Sequence, residues 1–345
     1  MAMLRWLLFP FAALYGWMMR VRNNQYNSGY RPVVEFDRPV ISVGNLSVGG
    51  TGKTPMIELL IRLLKDDHKL ATISRGYRRK TKGFRLANAQ DDASTLGDEP
   101  YQFYRKFGDE VLVSVCEERI LAVPEIVQDH EEVEAFLLDD AYQHRKIGRD
   151  LNILLSEFIR PFYDDQVVPV GRLREERSGA GRADLVVVTK CPPGLDESVK
   201  RRVTSRIQKY SGDKPVYFSH IGYDEPVLAL GTQTRPENEV ILITGIAQPG
   251  VFCKEVEKSR KILHHFDFRD HYSFGTKDLD KIERNVKESQ KTLSLLTTEK
   301  DMVRLLSLKD HPLFEKVSLF YMPIKFVMDK EEEFKDQVLK VFENH

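Results

Sequence analysis

The sequence predicts an α/β protein of two units. A doubly wound α/β/α domain is built on a parallel sheet, and a two-stranded linker joins it to a smaller C-terminal α/β/α domain. Short apolar runs alternate with stretches whose apolar residues recur at three- and four-residue spacing, the texture of strands and helices in βαβ units. The chain has 345 residues, more than one ordinary core accommodates. Near residue 215 the alternation breaks, because two strand-like runs follow each other without a helix between them. The expected division is an N-terminal helix over 1–22, a main domain over 23–215, and the smaller domain with its linker over 216–345.

Composition narrows the class. The 41% hydrophobic and 30% charged content is that of a globular protein. Fifty-two basic residues balance fifty-two acidic ones, so no nucleic-acid partner is expected. Cys116, Cys191 and Cys253 lie far apart and read as reduced thiols of a cytosolic protein, neither a disulfide frame nor a metal site. No obligate protein partner is inferred.

Taken in order, the chain opens with an uncharged stretch, residues 6–19, with Arg5 before it and Arg20 and Arg22 after it. As a helix it covers roughly 21 Å, short of the ~30 Å hydrocarbon core, and Pro10 and Gly16 make it a poor spanning helix. No cleavage site for a secretory signal follows. Aromatic residues near its ends and flanking arginines suit a helix lying in a membrane interface, with a buried core helix as the alternative.

Val40–Val43 reads as a short buried strand, and a helix begins at Pro55, with Met56, Leu59, Leu60, Leu63 and Leu64 on one face. Between them lies Ser47-Val48-Gly49-Gly50-Thr51-Gly52-Lys53-Thr54, the layout of a phosphate-binding P-loop. Glycines let backbone N–H groups approach phosphate oxygens, and the helix N-terminus adds its positive dipole end. Lys53 is expected to reach the β- and γ-phosphates of ATP and Thr54 to ligate Mg²⁺. The usual pattern has glycine where this chain has Ser47; a ligand-free glycine turn is the bland alternative.

Residues 70–74 form a second strand, followed by the basic run Arg75-Gly76-Tyr77-Arg78-Arg79-Lys80 at the carboxyl edge of the expected sheet. In Gly97-Asp98-Glu99-Pro100 the acids precede a helix from about Tyr101 to Phe107, so N-capping stands beside any catalytic role for Asp98. After a strand at 111–115, the apolar run Ala135–Leu138 ends in Asp139 and Asp140, a Walker-B arrangement able to hold Mg²⁺ opposite Thr54. Residues 150–155 give another strand, and the loop 168–176 is rich in arginine and carboxylate. The strand 184–188 ends in Thr189 and Lys190, a pair that in several P-loop families packs against the nucleotide base. The runs 216–220 and 227–230 are the two linker strands, and strands at 240–247, 261–266, 293–297 and 317–322 build the second unit. Two polar pieces stand out there: Asp270-His271-Tyr272, where a neutral histidine beside a carboxylate suits proton transfer, and Thr298-Glu299-Lys300-Asp301.

Several of these pieces, in this order, resemble one family, the tetraacyldisaccharide 4′-kinases, which are the lipid A 4′-kinases of Gram-negative bacteria. They are Leu14-Tyr15-Gly16, residues 43–55, Ser74-Arg75-Gly76-Tyr77, Gly97–Pro100, Leu138–Arg145, Leu173-Arg174-Glu175, Val188–Pro192, Asp270-His271-Tyr272 and Thr298–Asp301. Ser47 fits that family's loop, whereas Ala141-Tyr142 stands where the family more often has Gly-Phe. The resemblance implies ATP-dependent phosphorylation of the 4′-hydroxyl of an acylated disaccharide 1-phosphate lipid, with ATP and Mg²⁺, in a cleft between the two domains. It places the protein at the cytoplasmic face of the bacterial inner membrane. It further implies that Asp98 is the general base, paired with His271 on cleft closure, that Lys53 acts on the transferred group, and that Thr54, Asp139, Asp140 and, more weakly, Glu175 hold the metal. Arg75 and Arg119 are candidates for substrate contact. The competing class is a membrane-associated P-loop ATPase switch of the partitioning or metallochaperone kind. Such proteins commonly carry a second lysine early in the loop, where this chain has Val48.

Overall fold

The computed structural model describes residues 2–270, 272–289 and 292–345, with the side chains of residues 2–6 and 344 excepted. The strands in chain order are β1 (Val40–Asn45), β2 (Leu70–Ser74), β3 (Arg85–Leu86), β4 (Leu112–Val115), β5 (Ala135–Asp139), β6 (Leu151–Glu157), β7 (Leu185–Thr189), β8 (Val216–Tyr223), β9 (Val227–Leu230), β10 (Glu239–Thr244), β11 (Lys261–Asp267), β12 (Ser294–Thr298), β13 (Leu319–Met322) and β14 (Ile324–Met328). Among the described residues they form a nine-stranded sheet, ordered β14-β8-β7-β6-β1-β5-β2-β4-β3, and a five-stranded sheet, ordered β11-β10-β12-β13-β9.

From β8 to β4 the larger sheet is parallel, and the antiparallel strands β14 and β3 close its two edges. β1, β2, β5 and β7 are buried along their whole length, the burial that helices on both faces impose on a parallel sheet. On one face Met56, Ile57, Leu60, Ile61 and Leu64 of the helix Lys53–Leu64 pack with Phe103, Phe334 and Val338. On the other, Val203 and Ile207 cover one end and Ala122, Val123 and Ile126 the other. The smaller sheet is sandwiched in the same way, by Leu279, Ile282 and Leu305 on one side and by Phe252 and Val256 on the other.

The linker has a different composition from the one the sequence suggested. Strands 216–223 and 227–230 do not pair with each other: β8 runs parallel to β7 in the larger sheet, while β9 joins the smaller sheet antiparallel to β13. The partner of β8 is β14, which returns the chain to the larger sheet after Pro323. The helix Glu331–Leu339 then packs Phe334 and Val338 into the main core. Residues 324–339 therefore sit with the first sheet, although the sequence grouped everything after 216 together.

The N-terminal helix spans Ala2–Asn27. Leu7, Phe9, Phe11, Leu14, Trp17, Met18 and Val21 are exposed on it, whereas Ala12 and Tyr26 are buried against the protein. Among the described residues no helix is long and apolar enough to cross a membrane.

Candidate functional site

Parallel pairing of β1 with β5 and β6, and of β6 with β7, brings four carboxyl-end segments to one edge of the sheet. They are the glycine loop after β1, Asp139-Asp140 after β5, the end of β6, and Thr189-Lys190 at the end of β7. This is the edge where open α/β sheets bind ligands. Val48, Gly49 and Gly50 form the exposed tip of the loop. Gly49 (φ 111°) and Gly52 (φ 91°) adopt left-handed backbone, which a side chain tolerates poorly. At Gly52 a Cβ would also lie 2.7 Å from the Phe326 ring of β14, so glycine is required twice over.

The loop is buttressed from below. The Thr189 hydroxyl donates to Thr51 O at 2.8 Å, and the Lys190 ammonium bonds Gly50 O and Glu157. The pair expected beside a nucleotide base is thus engaged with the P-loop backbone. Val48 N donates to Arg172 O and Arg174 N to Leu46 O, each at 2.7 Å, so residues 172–174 flank the start of the loop.

Lys53 Nζ lies 3.7 Å from Asp140 Oδ1, which joins the P-loop and Walker-B residues in one cluster. Arg174 grips the same carboxylate with both nitrogens, at 2.8 and 3.1 Å. Burial acts against ionisation of Asp140, but the Lys53 and Arg174 charges outweigh it and hold the carboxyl below its ordinary value. Asp139 behaves oppositely: burial and then the neighbouring Asp140 charge push its carboxyl up to about 7. Its Oδ2 accepts from the Ser74 hydroxyl at 3.4 Å, while Oδ1 is buried with no donor among the described residues. A buried carboxylate oxygen of this kind fits a hydrated Mg²⁺, and Thr54 stands half-buried in the first turn of the P-loop helix.

Other expected residues are placed differently. Glu175 is buried and accepts from Arg182 at 2.7 Å, Asn23 at 2.7 Å and Gln143 at 3.0 Å. These three donors clasp it between elements and leave room on the carboxylate for a further partner. Arg119 is buried and donates to the carbonyls of Asp139 and Asp140 at 3.2 and 3.1 Å, which braces the Walker-B turn. That turn puts Asp140 itself in left-handed backbone (φ 47°), while Ala141 is not in that region and needs no glycine. Arg75 is exposed beyond β2, and its charge is felt by Arg119.

Asp98 opens the helix Asp98–Phe107, but Gly97 (φ 95°) takes the cap position, so the capping alternative for Asp98 is not realised. Among its partners is Arg304 of the second unit, which donates to Oδ2 through Nε at 2.8 Å and through Nη2 at 2.7 Å. Arg304 is fixed in turn by Asp301 at 3.0 Å. His271, the expected partner of Asp98, lies outside the described residues. Two more ion pairs cross between the helices Asp98–Phe107 and Glu299–Leu305: Glu99 with Lys300 at 3.6 Å, and Lys106 with Glu299. Asp139 feels the Glu99 charge, which links this interface to the Walker-B acids.

Sequence reasoning missed Arg174, Arg304 and Phe326. Arg174 adjoins Glu175, and Arg304 stands three residues after Asp301 on one helical face, so each had a local signal; Phe326 had none.

Comparison with known proteins identifies the family. The family model for tetraacyldisaccharide-1-P 4′-kinase matches residues 4–343. The tetraacyldisaccharide 4′-kinase of Flavobacterium johnsoniae is 42% identical over 330 residues, covering 94% of this chain and 93% of that protein. That of Parabacteroides distasonis is 39% identical over 351 residues, covering 97% and 94%. A crystal structure of the LpxK of Aquifex aeolicus in complex with ATP superposes with a TM-score of 0.77 at 30% identity, covering 98% of this chain and 99% of that one. The chain belongs to the tetraacyldisaccharide-1-P 4′-kinase family.

Proposed function

We propose that the chain transfers the γ-phosphoryl group of ATP to the 4′-hydroxyl of tetraacyldisaccharide 1-phosphate, forming lipid IVA in lipid A biosynthesis. The observation that carries this is the meeting of Lys53, Asp140 and Arg174 at the mouth of the glycine loop. The glycine loop cradles the phosphates through backbone N–H groups, and Lys53 neutralises charge on the group in flight. Mg²⁺, held by Thr54, Asp139 and Asp140, supplies Lewis-acid stabilisation of the phosphate oxygens when bound. Arg174 fixes the Asp140 carboxylate so that it stays ionised and oriented. Asp98 takes the proton of the attacking sugar hydroxyl, with Arg304 setting the direction of its carboxylate and His271 as the partner that tunes it.

The acceptor is a lipid, and the exposed apolar face of the N-terminal helix suits a peripheral seat on the cytoplasmic face of the inner membrane, where ATP is supplied. No protein partner is required by this scheme. The test is mass spectrometry of a disaccharide acceptor after incubation with the protein and Mg-ATP. A gain of one phosphate at the 4′ position is expected. Acceptor-independent ATP hydrolysis without that product would favour the ATPase-switch reading instead.

A further inference from the structure

The N-terminal helix has two working faces. One carries Leu7, Phe11, Leu14 and Trp17, each more than half exposed. The other is tied by polar contacts to the segment that builds the phosphoryl-transfer site. The Tyr15 hydroxyl donates to Arg174 O at 3.0 Å, Asn23 Nδ2 to Glu175 Oε2 at 2.7 Å, and Arg22 to Gln143 O at 2.8 Å. Arg20 adds a paired contact with Glu176.

What these contacts hold is itself bonded to the site. Residues 172–174 run antiparallel to the start of the P-loop, with Leu173 bridging Ser47. The Arg174 side chain grips Asp140 and donates to Gln143 at 3.3 Å. Gln143, just past the Walker-B turn, donates to Asn45 O at 2.9 Å, at the end of β1 that leads into the loop. A continuous hydrogen-bonded mesh thus runs from Tyr15, Arg22 and Asn23 to both halves of the nucleotide site.

We propose that the N-terminal helix is a positioning element for phosphoryl transfer, in which Tyr15 and Asn23 hold Arg174 and Glu175 in the register that presents the Arg174 guanidinium to Asp140. The anchor and the aligner are then opposite faces of one helix, and seating it on a lipid surface sets the geometry of the site. This inference rests on the kinase reading above. A merely structural mesh would show in melting temperature or in lipid binding; an aligning mesh shows in kcat.

The experiment uses the full-length protein and two substitutions that leave the apolar face intact. Tyr15→Phe deletes one hydroxyl, and Asn23→Ala deletes the amide that meets Glu175. Steady-state kinetics are measured with Mg-ATP and the acceptor in mixed micelles, alongside sedimentation with phosphatidylethanolamine–phosphatidylglycerol vesicles. Each variant is expected to lower kcat by about 3- to 10-fold, the worth of one hydrogen bond, with vesicle partition at the wild-type level. Asn23→Asp keeps the shape but sets a second carboxylate against Glu175, and is expected to lose more than Asn23→Ala. Unchanged kcat in Tyr15→Phe and Asn23→Ala, or a loss matched by an equal loss of vesicle binding, would overturn the inference. Wild-type protein that transfers no phosphate to the acceptor would overturn the functional reading and the inference together, whereas active wild type with unaffected variants overturns the inference alone.

Discussion

At the scale of single residues, the site divides its two adjacent acids by environment. Asp140 faces Lys53 and Arg174, which hold its carboxyl below the ordinary value, while burial and the Asp140 charge push the Asp139 carboxyl up to about 7. Lys53→Ala removes a charge that counts mainly in the transition state, and kcat is expected to fall by about 10²-fold or more in a protein with wild-type circular dichroism. Asp98→Ala is expected to cost roughly 10²–10⁴-fold, the worth of a positioned base. If Asp98 and His271 act as a unit, the double alanine variant should be little worse than Asp98→Ala alone; additive losses with distinct pH–rate profiles would show independent roles. That the glycine loop, Lys53, Thr54 and Asp139-Asp140 gather at one edge of the sheet was legible in the sequence, because each follows a readable apolar strand. The partners of Glu175 and Arg119 were not, because the fold alone decides what is placed against a buried carboxylate or guanidinium, here Arg182 and Asn23 in one case and two backbone carbonyls in the other.

At the scale of elements, the N-terminal helix was half legible. Its uncharged run announced an apolar face, but the helix extends beyond that run to 26 residues, and among the described residues no helix is long and apolar enough to cross a membrane. Its inner face could not be read, since Tyr15 and Asn23 meet partners more than a hundred residues away in sequence. Replacing Phe11 and Trp17 together by alanine removes two large apolar groups from the outer face. Partition onto anionic vesicles is expected to drop by at least about tenfold, read by sedimentation. Vesicle binding equal to wild type would assign that face another task. The strands were legible where helices separated them, as β2 falls on the predicted residues, and β9 does too although no helix separates it from β8. β14 was missed, although Ile324, Phe326 and Met328 alternate, because it follows β13 across a single proline and changes sheets there.

At the scale of the whole molecule, the two units meet through charge. Lys106 lies between Glu58 of the P-loop helix, at 2.7 Å, and Glu299 of the second unit; Arg62 also reaches Glu58, and Tyr321 stands nearby. Burial acts against the Lys106 ammonium, but the two carboxylates outweigh it and raise its pKa. One ammonium does not satisfy both acids: burial and then Glu58 push Glu299 up from 4.5 to about 7. Between those values the unfolded chain carries the Glu299 charge and the folded protein largely does not. Its contribution to stability therefore falls as pH rises through that window and levels off above about 7. Glu299→Gln removes the titration, so its melting temperature should gain on wild type as pH rises from 5 to about 7, with a constant difference beyond. Parallel profiles across the range would show that Glu299 is ionised throughout.

The return of the chain through β14 also fixes when the protein becomes competent. Phe326 lies against the P-loop glycine, and Phe334 and Val338 fill the main core, so the front of the molecule waits for the end of the chain. During synthesis the N-terminal portion emerges first, with its parallel strands made but one edge unpaired and one face uncovered. A product that stops short of residue 324 is not a weaker enzyme. It carries the glycine loop without the ring that packs against it, and its fate belongs to chaperones and proteases.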